Sequence, residues 1–204
     1  MNSVFVRRVG VQLHKRELDP LFDAFPGLET DRFVLRKLTV ADAPSLFDML
    51  SHPEVARFTV RKPLNRLTDA VELLRKVGLD YATRRAVRWG IVYQGGNQIV
   101  ATVGLHDWDR YHRHIAIGFD VLHSEWGKGI GSEVVTAVCA YAFDHLGVHR
   151  IEAHVMKGNT PSQKLLESVG FEQEGVFKKR MYKDGRQHDV LVYGLVVHRE
   201  DWTH

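Results

Sequence analysis

The sequence predicts one mixed α/β domain in three layers, in which helices cover both faces of a central sheet of about seven strands. Three observations predict this class. Short segments with alternating or continuous apolar residues recur along the chain, as strands do. Longer segments carry apolar residues at helical spacing. The segments follow the order strand, helices, three strands, helix, strand, helix and two strands, which favours helices on either side of one sheet.

Each element has its own local signals in the chain. Predicted strands lie at residues 33–38, 87–93, 98–105, 112–121, 150–156, 171–178 and 190–197, and predicted helices begin at residue 39 and cover residues 67–85, 132–146 and 160–169. The strands before and after Gly95 and Gly96 form a hairpin. Gly78 weakens the second predicted helix, and Gly147 suits the end of the third as a cap.

The chain length and composition predict a single domain. A chain of 204 residues has room for one well-packed core. Residues 1–28 show weak periodicity and contain two prolines, so we expect an N-terminal leader followed by one domain over residues 29–204. No segment reaches the ~18 apolar residues of a membrane span, and Arg7 and Arg8 interrupt any signal-peptide core. We therefore expect a cytoplasmic protein with no membrane partner.

Charge, cysteine and histidine content exclude several kinds of site. The net charge of +3 is small and the basic residues are scattered, so we expect no direct binding of nucleic acid. Cys139 is the only cysteine, which excludes an internal disulfide, and its apolar neighbours predict a packed core thiol. His112 and His114 share one face of a strand, but without a third ligand nearby they predict a surface pair and no metal site.

A glycine-rich turn from Trp126 to Ser132 is the most informative segment of the sequence. It lies between a predicted strand and a long apolar helix. A helix start presents unpaired N–H groups and about half a positive charge, and glycines let a phosphate approach the backbone closely. Lys128 adds a cation within the turn. The segment therefore predicts a phosphate-binding loop.

The predicted helix at residues 160–169 carries a second candidate site at its start. Capping accounts for four of its residues without any ligand: Thr160 as N-cap, Pro161 and Gln163 behind it, and Gly170 at the far end. Capping leaves Asn159 unexplained, because it precedes the predicted cap. It explains Ser162 poorly, because serine is only a moderate helix former. A hydroxyl near the positive helix end can donate a hydrogen bond to a developing anion.

Taken together, several short segments resemble the GNAT superfamily of N-acetyltransferases, and within it the branch of the ribosomal-protein-alanine N-acetyltransferases. The matching segments are residues 28–36, 117–119, 126–133, 159–162, 170–171 and 185–189, in family order from about residue 28 to the C-terminus. The resemblance implies a mostly antiparallel sheet within the three layers. It also implies transfer of an acyl group from acetyl-CoA to a primary amine.

The resemblance also implies where the coenzyme binds. The backbone of Phe119, Asp120 and Val121 is expected to pair with the pantetheine arm, and Asn159 to bind near the thioester. Lys164 is a candidate for the phosphates of the adenosine end, although a solvated lysine fits the pattern equally well. The loop expected to wrap the pyrophosphate consists of Trp126, Gly127, Lys128, Gly129, Ile130, Gly131 and Ser132.

Two departures from the family pattern shift the catalytic assignment. Leu166 stands where many members have a tyrosine that protonates the thiolate, so the resemblance assigns this role to Ser162, with Asn159 beside it. Ala116 stands where the branch often has a glutamate base. The candidate replacements or substrate contacts are His106, Asp107 and Asp120. A base is dispensable if the acceptor is an α-amino group, whose pKa is about 7.7 to 8.0.

The sequence leaves the acceptor open. The N-terminal α-amino group of a protein or peptide is the leading candidate, and a polyamine or an antibiotic is the alternative. A non-catalytic acyl-CoA sensor is the alternative from another class, because Ala116 and Leu166 replace family residues, but the retained Ser162 argues against it. Strand edges near the C-terminus favour pairing between two copies, which makes a homodimer a further candidate assembly.

Overall fold

The computed structural model describes residues 7–8, 19, 21–59 and 61–197. The strands are β1 (Arg7–Arg8), β2 (Leu28–Glu29), β3 (Phe33–Lys37), β4 (Ala86–Tyr93), β5 (Ala101–Asp109), β6 (His114–Val121), β7 (Arg150–Met156), β8 (Glu172–Lys183) and β9 (Arg186–Val196). The helices are α1 (Ala43–Ser51), α2 (Pro53–Ala56), α3 (Leu67–Ala82), α4 (Ile130–His145) and α5 (Thr160–Val169), with single 3-10 turns at Val40–Asp42 and His123–Glu125.

The strands form one sheet in the order β1-β2-β3-β4-β5-β6-β7-β9-β8. Neighbouring strands are antiparallel except β6 and β7, which are parallel. The mixed, mostly antiparallel sheet is therefore confirmed. The seven predicted strands correspond to β3 through β9, and the structure adds the two-residue pieces β1 and β2 at the edge.

Helices cover both faces of the sheet, which confirms the three-layer prediction. On one face α4 packs over the middle strands, where Val138 and Trp89 share a buried cluster. On the other face α1 and α3 pack against the sheet, where Leu74 and Val92 belong to a second cluster. Trp89 and Val92 both lie on β4, so the alternation of side chains across this strand divides it between the two cores.

The residues just before β2 pack onto the first core. Leu21 and Leu28 are buried, and Phe25 contacts the ring of Trp89 with a centroid distance of 6.0 Å. The indole N–H of Trp89 donates to the carbonyl of Pro26. The domain boundary at residue 28 stays a prediction, but the core takes in residues from the predicted leader. This packing could not be predicted from the sequence, because the two prolines of the segment interrupt any periodic pattern of apolar residues.

Several element bounds differ from the predicted ones for local reasons. β5 begins three residues after its predicted start and extends to Asp109 through a bulge, and β8 and β9 are longer than predicted. The short helix α2 was not predicted. Gly78 does not interrupt α3, because that helix is fixed by packing of its apolar face.

Cys139 is buried in the first core, as predicted, and burial raises the pKa of its thiol far above the usual value. Among the described helices, none is both long enough and apolar enough to cross a membrane. The described residues also contain no group of three metal-ligating side chains. His112 and His114 stack with their ring centroids 6.4 Å apart.

Candidate active site

The central cleft opens where β6 and β7 separate. The two parallel strands pair over three residues each, from His114 opposite Arg150 to Ala116 opposite Glu152. Beyond this point residues 117–121 of β6 and residues 153–156 of β7 line opposite walls of a cavity of about 640 Å³. Two strand edges therefore face each other across a gap. An extended ligand with amide groups can pair with these edges, which is the contact expected for a pantetheine arm.

The start of α4 forms one end of this cavity. Gly127 and Gly129 adopt positive φ angles of 78° and 74°, a conformation that favours glycine. A Cβ at Gly127 would meet no atom within 4 Å, so space remains above the loop backbone. Ile130, the first residue of α4, is buried beneath. The loop thus presents backbone N–H groups and a helix N-terminus to the cavity, which suits a pyrophosphate.

An ion pair from the first strand region holds this loop in place. The Nε of Arg32 lies 2.7 Å from Oε2 of Glu133, in the first turn of α4, and an Nη1 of Arg32 donates to the carbonyl of Lys128 at 3.1 Å. Thr30 donates its hydroxyl to the same carboxylate at 2.6 Å. Arg32 therefore adds a cation beside the loop. Its role was missed because the two segments are about a hundred residues apart in sequence.

Trp126 and Lys128 are already engaged within the protein. The indole N–H of Trp126 donates to the carbonyl of Val121 at 2.9 Å, so this donor holds the loop to the end of β6. Lys128 pairs with Glu125 at 2.9 Å, and this hydrogen bond raises the pKa of the ammonium. Glu125 also accepts the hydroxyl of Tyr93 at 2.7 Å. Phosphate binding by the Lys128 side chain stays a prediction.

The start of α5 forms the opposite wall, and its N-cap differs from the predicted one. The N-cap is Asn159, whose Oδ1 accepts from the backbone N–H of Ser162 at 3.3 Å. The assignment of the cap to Thr160, with a capping box to Gln163, was wrong, because Thr160 is already the first helical residue. Asparagine caps helices as well as serine does. Asn159 therefore has a structural role as the cap of α5, which was not predicted from the sequence. It also lines the cavity.

Ser162 lies in the first turn of α5, half-buried on the cavity wall. Lys164 also lines the cavity. Leu166 points away into the first core and is fully buried. The position where many family members have a tyrosine acid is therefore occupied here by a core leucine. On this wall, the hydroxyl nearest the helix start is that of Ser162.

Close packing brings the two helix N-termini to one cavity. A Cβ on Gly131 in α4 would collide with Cδ1 of Leu165 in α5. The glycine therefore lets the two helices approach closely, because a side chain here would force Leu165 to move. The cavity consequently has two positive helix ends on its walls, which favours an anionic ligand. The coenzyme therefore fits the residues present.

The structure separates the three candidate bases. Asp120 lines the main cavity but pairs with Arg88, whose Nη1 lies 3.2 Å from its Oδ2. His106 pairs with Asp107 at 2.9 Å and lines a smaller neighbouring cavity of about 160 Å³ under α3. The side chain of Asp107 is 84% exposed and lines neither cavity. Of the three, only Asp120, on β6, lines the main cavity, and its carboxylate is ion-paired there with Arg88.

Most predicted site residues line a single cavity. Those that line it are Phe119, Asp120, Val121, Trp126, Gly127, Gly129, Ile130, Gly131, Ser132, Asn159, Ser162 and Lys164. The wall also includes residues that were not predicted from the sequence, namely Glu54, Phe58 and Arg61 from α2 and the following loop, and Arg88 on β4. One signal was present in the chain, because Arg88 is a charged residue between two apolar residues of a buried strand.

Comparisons with known proteins agree with this geometry. The family described as "Acetyltransferase (GNAT) domain" matches residues 32–172. The "Uncharacterized N-acetyltransferase YoaA" of Bacillus subtilis is 36% identical over 176 residues, which are 86% of this chain and 99% of that protein. The "[Ribosomal protein uS5]-alanine N-acetyltransferase" of Escherichia coli is 34% identical over 87 residues, 43% of this chain and 44% of that protein.

A solved structure extends the comparison to the fold. The spermidine N-acetyltransferase from Vibrio cholerae, in complex with CoA and spermine, superposes with a TM-score of 0.70 at 21% identity and covers 80% of this chain and 95% of its own. This likeness concerns the fold alone. The family match over most of the chain, together with the relative in B. subtilis, shows that the protein belongs to the GNAT family and is an N-acetyltransferase that uses acetyl-CoA.

Proposed function

We propose that the acceptor of the acetyl group is the N-terminal α-amino group of a protein or peptide. The observation that carries this proposal is that the acidic residues on the described cavity wall are all in ion pairs. Glu54, Asp120 and Glu125 are the acids among the described lining residues. They pair with Arg57, Arg88 and Lys128 at 3.7, 3.2 and 2.9 Å, in that order. A polyamine with several cations needs unpaired carboxylates, and the described wall offers none.

The relative from E. coli supports the same acceptor. Its name specifies an alanine of a ribosomal protein, and it is 34% identical to this chain over 87 residues. An α-amino group also suits a site in which the described lining carboxylates are ion-paired. Its pKa of about 7.7 to 8.0 leaves a useful neutral fraction near neutral pH. The ion-paired Asp120 therefore need not remove a proton.

The chain supports acyl transfer through three contributions. The loop at Gly127 and Gly129 binds the pyrophosphate with backbone N–H groups, and the edges of β6 and β7 orient the arm that carries the thioester. Acetyl-CoA supplies the acyl group when bound. The acceptor nitrogen forms the new C–N bond as the C–S bond breaks, and the amine proton leaves to solvent. Ser162, held at the start of α5, donates a hydrogen bond to the departing sulfur.

An acceptor panel tests the proposal. Thiol release is measured with acetyl-CoA and peptides with free or blocked N-termini, spermidine or an aminoglycoside. We expect turnover with free peptides and none with their N-terminally blocked forms, and mass spectrometry should place the acetyl group on the α-nitrogen. Turnover confined to spermidine or the aminoglycoside would overturn the proposal.

A further inference from the structure

Two arginines line the cavity on the side away from the coenzyme loop. Arg88 comes from β4, and Arg61 comes from the loop after α2. Both also line the smaller cavity under α3, so they lie where the two spaces meet. Burial lowers the pKa of the Arg88 guanidinium, Asp120 opposes this shift, and the positive charge of Arg61 adds to it. The two cations are therefore close enough to repel each other.

Two glycines on the neighbouring strands allow the Arg88 side chain to lie across the sheet. Arg88 is paired with Gly104 of β5, which is paired with Gly118 of β6. A Cβ on Gly104 would lie 3.2 Å from Nε of Arg88, and one on Gly118 would lie 3.7 Å from its Nη2. Because neither glycine has a side chain, the Arg88 side chain can lie across both strands. Its guanidinium reaches the wall of the cavity, and the side chain is 19% exposed.

One end of the guanidinium is bonded, and the other is available. Nη1 of Arg88 donates to the hydroxyl of Thr102 at 2.9 Å and to the carboxylate of Asp120 at 3.2 Å. Nη2 lies beside Gly118, a residue of the cavity wall. Guanidinium groups have five N–H donors in a planar fork, so Arg88 keeps donors for a further acceptor.

Positive charge is in excess beside Arg88 on this side of the cavity. Asp120 compensates Arg88, and Glu54 pairs with Arg57 at 3.7 Å. Arg61 forms no ion pair with any residue in the described part of the chain. The charge of Arg61 therefore lies near the ion pair of Arg88 with Asp120 without a described partner of its own. An anion between the two guanidinium groups would interact favourably with both.

We propose that the acceptor carries a carboxylate close to its reacting amine, and that Arg61 and Arg88 bind this carboxylate. The proposal rests on the proposed function, because it assumes an α-amino acceptor. Guanidinium groups bind carboxylates through paired, charge-assisted hydrogen bonds. The carboxylate has two sources in such acceptors: an acidic side chain near the start of a polypeptide, or the α-carboxylate of a free amino acid. Both would place a negative charge beside the amine.

Matched acceptors test the proposal on the intact protein. kcat/KM is measured by thiol release for a peptide with serine first and glutamate second, and for the same peptide with glutamine second. Free serine and serinamide form the second arm, with kcat/KM calculated for the neutral amine of each, because the carboxylate of serine raises the pKa of its own amine. We expect the carboxylate acceptor of one pair to be preferred by about tenfold or more, since a hydrogen-bonded charge is lost in its amide. The arm that shows the preference identifies the source.

Arg61 is the first variant because it is exposed and its substitution should leave the fold intact. In Arg61→Gln we expect the preference to fall to about threefold or less, with KM for the carboxylate acceptor carrying most of the change. Arg75→Gln removes an exposed arginine of α3 that lines neither cavity, and it should retain the preference. Arg61→Glu should favour the amide acceptor.

The outcomes separate this inference from the proposed function. Equal turnover of both members in both pairs would overturn carboxylate binding and leave peptide acetylation intact. A preference that survives Arg61→Gln unchanged would equally overturn the assignment to Arg61. Turnover of spermidine without any peptide or amino acid would overturn the inference together with the proposed function.

Discussion

At the level of single residues, Ser162 and Asn159 share the start of α5 but differ in role. Asn159 accepts the N–H of Ser162 and thereby fixes the first turn of the helix. The hydroxyl of Ser162 lies on the cavity wall in the field of the helix end. Asn159 therefore positions the residue that is proposed to meet the sulfur.

Ser162→Ala should lower kcat by about tenfold, the loss expected for one hydrogen bond to a developing charge. The affinity for CoA should change little, because the backbone of the loop and strands supplies most of the binding. Steady-state kinetics and titration calorimetry measure the two effects. Thr160→Ala is the matched control, since its hydroxyl lies at the same helix start but off the cavity wall. An equal loss in Thr160→Ala would contradict the role of Ser162.

Gly129→Val should show the opposite pattern. The φ angle of 74° strains a β-branched side chain, and the new Cβ would lie 3.6 Å from Nη2 of Arg32. We expect CoA affinity to fall about tenfold or more, with a smaller change in turnover at saturating CoA. Gly95→Val is the control, because Gly95 has a φ of 75° in a turn away from the cavity. It should lose stability and retain affinity.

At the level of elements, the approach of α4 to α5 decides the shape of the coenzyme site. Gly131→Ala should destabilise the protein by about 1 kcal/mol, because the added methyl forces the Leu165 side chain to move. It should also weaken CoA binding, because the displaced Leu165 side chain lines the coenzyme cavity. Thermal unfolding and calorimetry measure both. The double variant with Leu165→Ala should recover part of the affinity, and an additive loss would show that the contact is irrelevant.

At the level of the whole molecule, the buried carboxyl of Asp42 makes stability depend on pH. Burial alone would raise the pKa of Asp42, but hydrogen bonds from Arg36 and from the backbone of Thr39 outweigh it and hold the pKa below the usual value. The group therefore stabilises the fold above the unfolded-state pKa of about 3.9. This contribution is lost as pH falls through the lower folded-state pKa.

Asp42→Asn should reduce the free energy of unfolding by about 1–3 kcal/mol at neutral pH, since an ion-paired, hydrogen-bonded group is lost. The difference from the natural protein should shrink as pH falls below about 4. Urea unfolding at several pH values measures it. Asp48→Asn, at an exposed position of α1, should keep the natural pH dependence. A difference that stays constant with pH would contradict the role of Asp42.

The sequence predicted what depends on local patterns and missed what depends on distant contacts. The bounds of β7 and α5 were predicted correctly, because the alternation in β7 and the signals of Pro161 and Gly170 at the ends of α5 are local. The loop at Gly129 was predicted from its glycines. Arg32 and Arg88 were missed, because their roles arise only when separate strands come together. The cytoplasmic location and the homodimer stay predictions, although β8 does lie at the sheet edge.

The short pairing of β6 with β7 has a mechanical consequence. Three residue pairs join one half of the sheet, β1 through β6, to the other half, β7 through β9. A donor lying in the gap would bridge the two halves beyond these paired residues. At a hundredfold excess over Kd it would add about 2.7 kcal/mol of stability. Amide exchange should then slow at residues 117–121 and 153–156 together, so that loading the acetyl donor also stiffens the two strand edges that flank it.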